Sequence, residues 1–478
     1  MKKLFTKRAS SLLLVLAMTA MLVLPVSASA SKTLKVTAGT PLYLNGLLAN
    51  TTDISGKANQ LFYSDGTTYA PVRAIAEALG QNVAWNSKTS AVEIGVEGND
   101  AANDAAYLQE YFKIAPMSGT VSWTTYSAAL TKLGVKDAAA SGTLTPAAAA
   151  KSVVALANMT ELADTYTAAE AKAATARYGA ISAADAPYVA CALQMNLIPG
   201  TVKFTAPLTG DTASVMLMNA VEAAGKGRNF LGFSSDPDIA ARLVSTWNSF
   251  TLFDDPTLTA LGVAVVKSGA TTGYNLKYDG NAARFLSENT LQYGHSDITH
   301  AVQLMGLLNR AGLVARVQLE PKVSAYQYLL EWNDGKVPAS TPIYQVKQVS
   351  DSLYVCFAVE YDLQLEFSSK TDRAAFDKLI NTYAKKSDAN STGKGMIAGA
   401  WWQPLYSAKD SMPSPAYQQI NDVVVRDGAY TIHPFATNEK LAAVKAEIAK
   451  NAPSLTCTPS QLWVNAAFYR YITGTDHQ

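Results

Sequence analysis

The sequence predicts a multidomain α+β protein: a small α+β module, then a helical repeat region, then a larger mixed α+β domain. Three observations support that reading. Residues 34–94 run as short strands, one amphipathic helix and a hairpin. Residues 105–225 are rich in alanine and apolar at helical spacing. From residue 229 to 478, helical patterns alternate with strand patterns. A chain of 478 residues has room for such a series at about 150 residues per domain.

The first thirty residues have a separate role. Lys2, Lys3, Lys7 and Arg8 form a basic head, and Leu12 to Val26 is almost unbroken apolar chain. Ala28-Ser29-Ala30 then gives the small-residue pattern that signal peptidase reads, so residues 1–30 are expected to be a cleaved signal peptide. The apolar run is short for a span of about 20 residues, and Pro25 ends it. No later stretch is apolar enough to cross a bilayer, so no membrane span is expected after cleavage. The protein is expected to be secreted, to the envelope or beyond.

Composition excludes several functions. Charged residues make up 16% and the formal charge is +1, which falls to −3 when the four cations of the leader are removed. Nothing there is basic enough to track a phosphate backbone, so no nucleic acid is expected as partner. Cys191, Cys356 and Cys457 make an odd count, which leaves at least one thiol unpaired. Four histidines are few for an elaborate metal site, and neither metal nor cofactor is expected.

In the first module, Leu34-Lys-Val and Leu42-Tyr-Leu read as strands, with turns at Asn45-Gly46 and Asp65-Gly66. Pro71 to Leu79 reads as a helix, with Val72, Ile75, Ala76 and Leu79 on one face and Gly80 closing it. Val83-Ala-Trp85 and Ala91-Val-Glu-Ile94 form the hairpin. Over residues 31–96, the run Tyr69 to Gly80 followed by this Trp-containing hairpin closely resembles the copper amine oxidase N-terminal-like, or stalk, domain of secreted Gram-positive proteins. The resemblance implies a non-catalytic accessory module. It implies no copper, because the oxidase's metal chemistry belongs to a separate domain.

Residues 96–104 read as a polar linker. Beyond it, Leu144-Thr-Pro-Ala and Leu208-Thr-Gly-Asp each open a helix, Ala147 to Met159 and Thr212 to Ala224, with the threonine as cap. Pro146 suits a first helical turn. Pro187 to Gly200 is a helix ending in a Pro-Gly turn. Residues 105–225 thereby resemble S-layer homology repeats. Asn196 stands where those repeats have glycine, and the Arg and Glu that follow their threonine are missing at both starts. Those charged residues contact the acidic wall polymer, so the region alone is expected to bind it weakly or not at all. A cell-wall polymer or a surface protein is the kind of partner this resemblance implies.

The last region, 229–478, reads as helix Asp297 to Ala311 closed by Gly312, strands Val314 to Leu319 and Leu353 to Tyr361, and helix Ala374 to Lys385. A hairpin around Asp427-Gly428 and helix Asn438 to Lys450 complete it. Tyr293 to Val317, with Gly312-Leu-Val-Ala-Arg-Val317 matching best, resembles the core of transglutaminase-like cysteine proteases. The family's nucleophile falls on Ser296, or on Asp297 one residue later, and neither is cysteine. Cys356 lies on the strand that should bear the family's histidine. The resemblance is therefore to a degenerate, non-catalytic member.

A helix N-terminus can bring a thiol's pKa down from about 8.5, but a serine there still needs a base in contact. If the domain is an enzyme, Ser296, His295 and His300 are the candidates. The plainer role is helix capping by Ser296 or Asp297, at about 1 kcal/mol. The five-residue step from His295 to His300 does not set both on one helical face for a metal. Trp401-Trp402 with Tyr406 could stack on a sugar or peptide, or pack in a core. His433-Pro434 has no visible partner. The expected function is a secreted, non-catalytic envelope protein for attachment or ligand presentation. The alternatives are an envelope hydrolase or acyltransferase acting on peptide or peptidoglycan, and a carbohydrate- or peptide-binding protein.

Overall fold

A computed structural model of the chain describes residues 35–44, 47–48, 61–78, 83–86, 91–94, 101–135, 142–383, 405–412 and 417–473. The expected signal peptide lies outside them. The chain divides into two compact units, residues 1–78 and 79–478.

The first unit contains β1 (Thr37–Thr40), the two-residue strands β2 (Tyr43–Leu44) and β3 (Leu47–Leu48), β4 (Leu61–Ser64) and β5 (Thr67–Tyr69). β1, β4 and β5 form one antiparallel sheet in that order. Asp65 and Gly66, both at positive φ, make the two-residue turn between β4 and β5. That geometry matches the right-handed twist of a hairpin. α1 (Val72–Ala78) follows as the spacing predicts, with Ala76 buried but Val72 exposed.

The second unit begins with the hairpin β6 (Val83–Asn86) and β7 (Ala91–Ile94). Among the described residues seven α-helices follow: α2 (Ala101–Phe112), α3 (Trp123–Lys132), α4 (Pro146–Leu156), α5 (Thr160–Asp164), α6 (Ala168–Thr175), α7 (Ala186–Gln194) and α8 (Gly210–Ala223). The expected linker stops short of Asp104, because Ala101 to Asp104 are the first turn of α2. Ala149, Ala150, Val153, Val154, Met216 and Leu217 are fully buried in one apolar core, where alanine lets helices approach closely. Ser122, Thr145 and Thr209 cap α3, α4 and α8 through their side-chain oxygens. Their neighbours join these ends, as Val121 N donates to Leu208 O and Leu208 N to Leu144 O, each at 2.8 Å. A Cβ on Gly210 would lie 2.0 Å from the Met117 carbonyl oxygen, so only glycine fits there. Asn196 adopts φ +56°, the left-handed conformation that asparagine tolerates in place of glycine.

The remainder is a β-barrel wrapped by helices. In chain order its elements are β8 (Gly232–Phe233), α9 (Ile239–Asn248), α10 (Pro256–Lys267), β9 (Gly273–Tyr278), β10 (Thr290–His295), α11 (Ile298–Ala311), β11 (Ala315–Tyr328) and β12 (Tyr344–Ser350). β13 (Leu353–Phe367), α12 (Lys370–Tyr383), β14 (Leu405–Ala408), β15 (Tyr417–Asp427), β16 (Tyr430–Ala436), α13 (Leu441–Asn451), β17 (Cys457–Asn465) and α14 (Ala466–Thr473) complete it. The strands pair antiparallel in the order β13-β10-β14-β17-β15-β16-β9-β11, and β11 pairs back onto β13. Eight strands thus close on themselves, which removes the exposed edges of an open sheet. β11 and β13 run past the ends expected for them, Leu319 and Tyr361, to Tyr328 and Phe367.

Alternation decides which face points where. Outward go Leu291, Tyr293, Val317, Leu319, Leu363 and Leu365, beneath α9, α11 and α12. Leu276, Val323, Val423, Val425 and Ile432 also point outward, beneath α10 and α13. Inward go Lys277, Gln292, Glu320, Lys322, Asp362 and Gln364. Most apolar side chains of the strands are thus spent on the helical jacket, and the barrel interior is polar except near the α14 end, where Ile420, Phe435, Leu462 and Val464 cluster. Helix α2 is tied to one barrel end by Tyr111, whose hydroxyl donates to Phe285 O at 2.7 Å. Arg228 adds a second tie: it bonds Glu366 at 3.0 Å and lies 4.4 Å over the Tyr107 ring.

Candidate functional site

The barrel encloses a cavity of about 340 Å³. Its mouth is at the α2 end, lined by Tyr111, Tyr278, Asp279, Arg284, Lys409 and Arg426. Arg426 and Asp279 form an ion pair there. Its floor is Phe435 and Leu462. Those two pack with Ile420, Val464 and Phe468, the last from α14, which turns across the opposite barrel end directly after β17.

The walls are charged. Lys322 Nζ donates to Asp362 at 2.7 Å, Lys277 pairs with the same carboxylate, and Lys277 stands 3.6 Å from Glu320. Burial alone would raise the Asp362 pKa, but the two ammonium groups outweigh it and hold it at about 2. Glu320 also accepts from Ala283 N at 2.7 Å and from Gln364 at 3.0 Å. These bonds fix the wall side chains in place.

Three wall residues form a chain of their own. Thr431 and His433 are two apart on β16, hence on one face, and Asp422 lies diagonally opposite on β15. His433 Nδ1 is 3.1 Å and 3.0 Å from the two Asp422 oxygens, and its Nε2 is 2.9 Å from Thr431 Oγ1. All three line the cavity. From sequence alone His433 has no visible partner. The signal was present nonetheless: the hairpin turn just after Asp427 sets the register that brings Asp422 beside it.

The residues singled out from sequence lie elsewhere. His295 ends β10 on its outer side, and Ser296 is exposed just beyond it. Asp297, not Ser296, caps α11, accepting from Thr299 N at 2.9 Å. His295 Nδ1 accepts from Asp297 N at 2.8 Å, which places its proton on Nε2, 2.9 Å from His300 Nδ1. Burial first, then the His300 charge, brings the His295 pKa down to about 4; burial also lowers His300. Both imidazoles are therefore neutral near pH 7; His295 stacks on the Tyr293 ring, while His300 lies edge-on to His295 with its Nδ1 3.3 Å from the Tyr293 hydroxyl. Cys356 is fully buried with Tyr328 and Val346. His295 is opposite Tyr361, five residues further along β13, so Cys356 is about 17 Å from the Ser296 turn at ~3.4 Å per residue.

Tyr406 is fully buried on the barrel's outer face, 5.4 Å from the Tyr293 ring, so its place is in the core. Trp401 and Trp402 lie outside the described residues. Among the described residues no group of three or more His, Cys, Asp or Glu is arranged to hold a metal ion. No helix among them is long and apolar enough to cross a membrane.

Residues 49–104 match the family described as copper amine oxidase N-terminal domain. The match begins later than the expected module and runs on into the first turn of α2. No curated protein and no solved structure matches the chain significantly.

Proposed function

We propose that this is an exported cell-envelope protein whose C-terminal barrel binds a small polar ligand, a sugar or short peptide unit, at the cell surface. The observation behind it is the cavity. A closed barrel buries charged and hydroxyl-bearing side chains around about 340 Å³ of space, within the usual range of small-molecule sites. Burying charge without a use for it is expensive, because each ion loses its hydration. The mouth offers two tyrosine rings and both signs of charge, which suits a ligand with several hydroxyl, amide or ionised groups.

Export rests on the residue 1–30 pattern, and attachment on the parts before the barrel. The stalk-like match supports an accessory role for the N-terminal region. The three joined helix starts at Ser122, Thr145 and Thr209 are what an S-layer-homology-like repeat in 105–225 has in its favour. A transglutaminase-like ancestry of 229–478 has only the succession β10, α11 and β11 behind it. Isothermal calorimetry of the mature chain with N-acetylglucosamine and with muramyl dipeptide tests the ligand proposal. Binding of either, lost on filling the cavity with Ser460→Trp at unchanged melting temperature, is expected. Heat that persists undiminished in the filled variant, or no heat with either compound, would sink it.

A further inference from the structure

We propose that Thr431, His433 and Asp422 form a hydroxyl–imidazole–carboxylate relay that makes the cavity an acyl-transfer site for short-chain esters of polar alcohols. The proposal rests on the reading of the cavity as a binding site and adds chemistry to it.

The geometry is that of an activated nucleophile. A hydroxyl is a poor nucleophile until a base in contact takes its proton, and the base must hold the right tautomer. Here the Asp422 carboxylate, an acceptor only, faces His433 Nδ1 with both oxygens at 3.0–3.1 Å, so Nδ1 carries the proton. That leaves the Nε2 lone pair aimed at Thr431 Oγ1, 2.9 Å away. The relay is built on two paired strands of a closed barrel, and Thr431 is 3% exposed, so its parts are rigid and shielded from bulk water. The β-branched threonine side chain has restricted χ1, which fixes where its oxygen points.

The neighbouring strand supplies charge. Lys277 on β9 is directly across from Thr431 in the register. Burial alone would lower its pKa, but Asp362 and Glu320 raise it, so it stays an ammonium and cannot compete as base. Its ammonium is held by Asp362 and Glu320 on the strand beside Thr431, a positive charge in the same polar interior as an oxyanion developing there.

The lining sets the substrate class. Phe435 and Leu462 give an apolar floor for a short acyl chain, while Tyr278, Asp279 and Arg426 at the mouth suit a polar alcohol such as a sugar. In the first step Thr431 Oγ1 attacks the ester carbonyl carbon and its proton passes to His433 Nε2. The tetrahedral intermediate collapses, the bond to the alcohol oxygen breaks, and His433 returns the proton to that oxygen. Water, deprotonated by His433, then attacks the acyl-threonine carbonyl. The acid leaves and Thr431 Oγ1 regains its proton.

The test uses the full mature chain with p-nitrophenyl acetate and glucose pentaacetate. The expected result is ester turnover, with an acetyl group trapped by acid quench on the peptide containing Thr431 and found by mass spectrometry. Thr431→Val should lose turnover and adduct, Thr431→Ser should keep both, and Asp422→Asn should lower kcat by roughly 10⁴-fold through the wrong tautomer. The adduct is read on the wild type, so it stands even if Asp422→Asn fails to fold. Wild-type-like turnover by Thr431→Val, or acetylation confined to surface lysines, overturns the relay. Binding of N-acetylglucosamine without any acyl transfer overturns the relay alone, whereas absence of both overturns the cavity reading with it.

Discussion

The helical region and the barrel solve the burial problem in opposite ways. Residues 101–223 bury alanine, valine, leucine and methionine against one another, with polar groups kept for caps such as Thr145 and Thr209. The barrel turns its apolar side chains outward to a helical jacket and encloses Lys277, Lys322, Glu320 and Asp362. The first core is self-sufficient and tolerant. The second depends on charge balance, since removing one member leaves another buried and uncompensated.

The comparison breaks most sharply at Asp362. Asp362→Ala leaves two ammonium groups facing each other and should cost about 3–5 kcal/mol. Leu130→Ala in the helical core should cost a similar ~2–5 kcal/mol by leaving a cavity. The difference lies in rescue. Adding Lys277→Met, Lys322→Met and Glu320→Gln to an Asp362→Leu variant should restore stability to wild type or above, as seen for buried ion clusters replaced whole. Urea unfolding of the four proteins measures this, and a quadruple variant no more stable than Asp362→Ala would sink the charge-balance account.

Near pH 6 acid should act on the barrel side, because residues 101–223 hold no histidine. The folded pKa of His295 is depressed to about 4 and that of His300 is lowered. The unfolded chain therefore takes up protons first as pH falls. Stability is complete above pH ~6.5 and declines toward pH ~4, by up to ~1.4 kcal/mol per pH unit for His295, with His300 acting in the same direction. Asp362 adds a separate loss only as pH falls from its unfolded value near 3.9 through about 2. Denaturation midpoints between pH ~7.5 and ~4.5 should fall in the wild type and fall less in His295→Asn. A flat wild-type profile would show that these histidines charge freely in the fold.

The smallest effect concerns the cap of α11. Asp297→Ala should lower stability by about 0.5–2 kcal/mol, whereas Ser296→Ala should stay within ~0.5 kcal/mol. Equal losses in thermal melts would return the capping role to Ser296.

Local structure was readable from sequence where a residue's own chemistry dictates it. Thr145 and Thr209 start helices as expected, Gly312 ends α11 at φ +69°, and Gly428, just after Asp427, turns the β15–β16 hairpin together with Ala429. The barrel was not readable, for a physical reason. Glu360, Asp362, Gln364 and Glu366 alternate with Tyr361, Leu363, Leu365 and Phe367, a pattern any strand with one wet face would show. Nothing in that alternation says that the polar face curls inward and closes. The pairing of β11 with β13 and of β9 with β16 settles it, and those contacts span long stretches of chain. The same holds for the candidate site. His295, Ser296 and His300 are neighbours in sequence and drew attention for it, while Thr431, His433 and Asp422 become neighbours only once the hairpin register is drawn.

The stopper formed by α14 has a kinetic consequence. With Phe468 seated among Ile420, Leu462 and Val464, the barrel is a cup, not a conduit. Whatever enters past Arg284, Lys409 and Arg426 must leave by the same doorway, so arrival and departure share one barrier. Loosening that doorway should quicken both rates together and leave the equilibrium between them little changed.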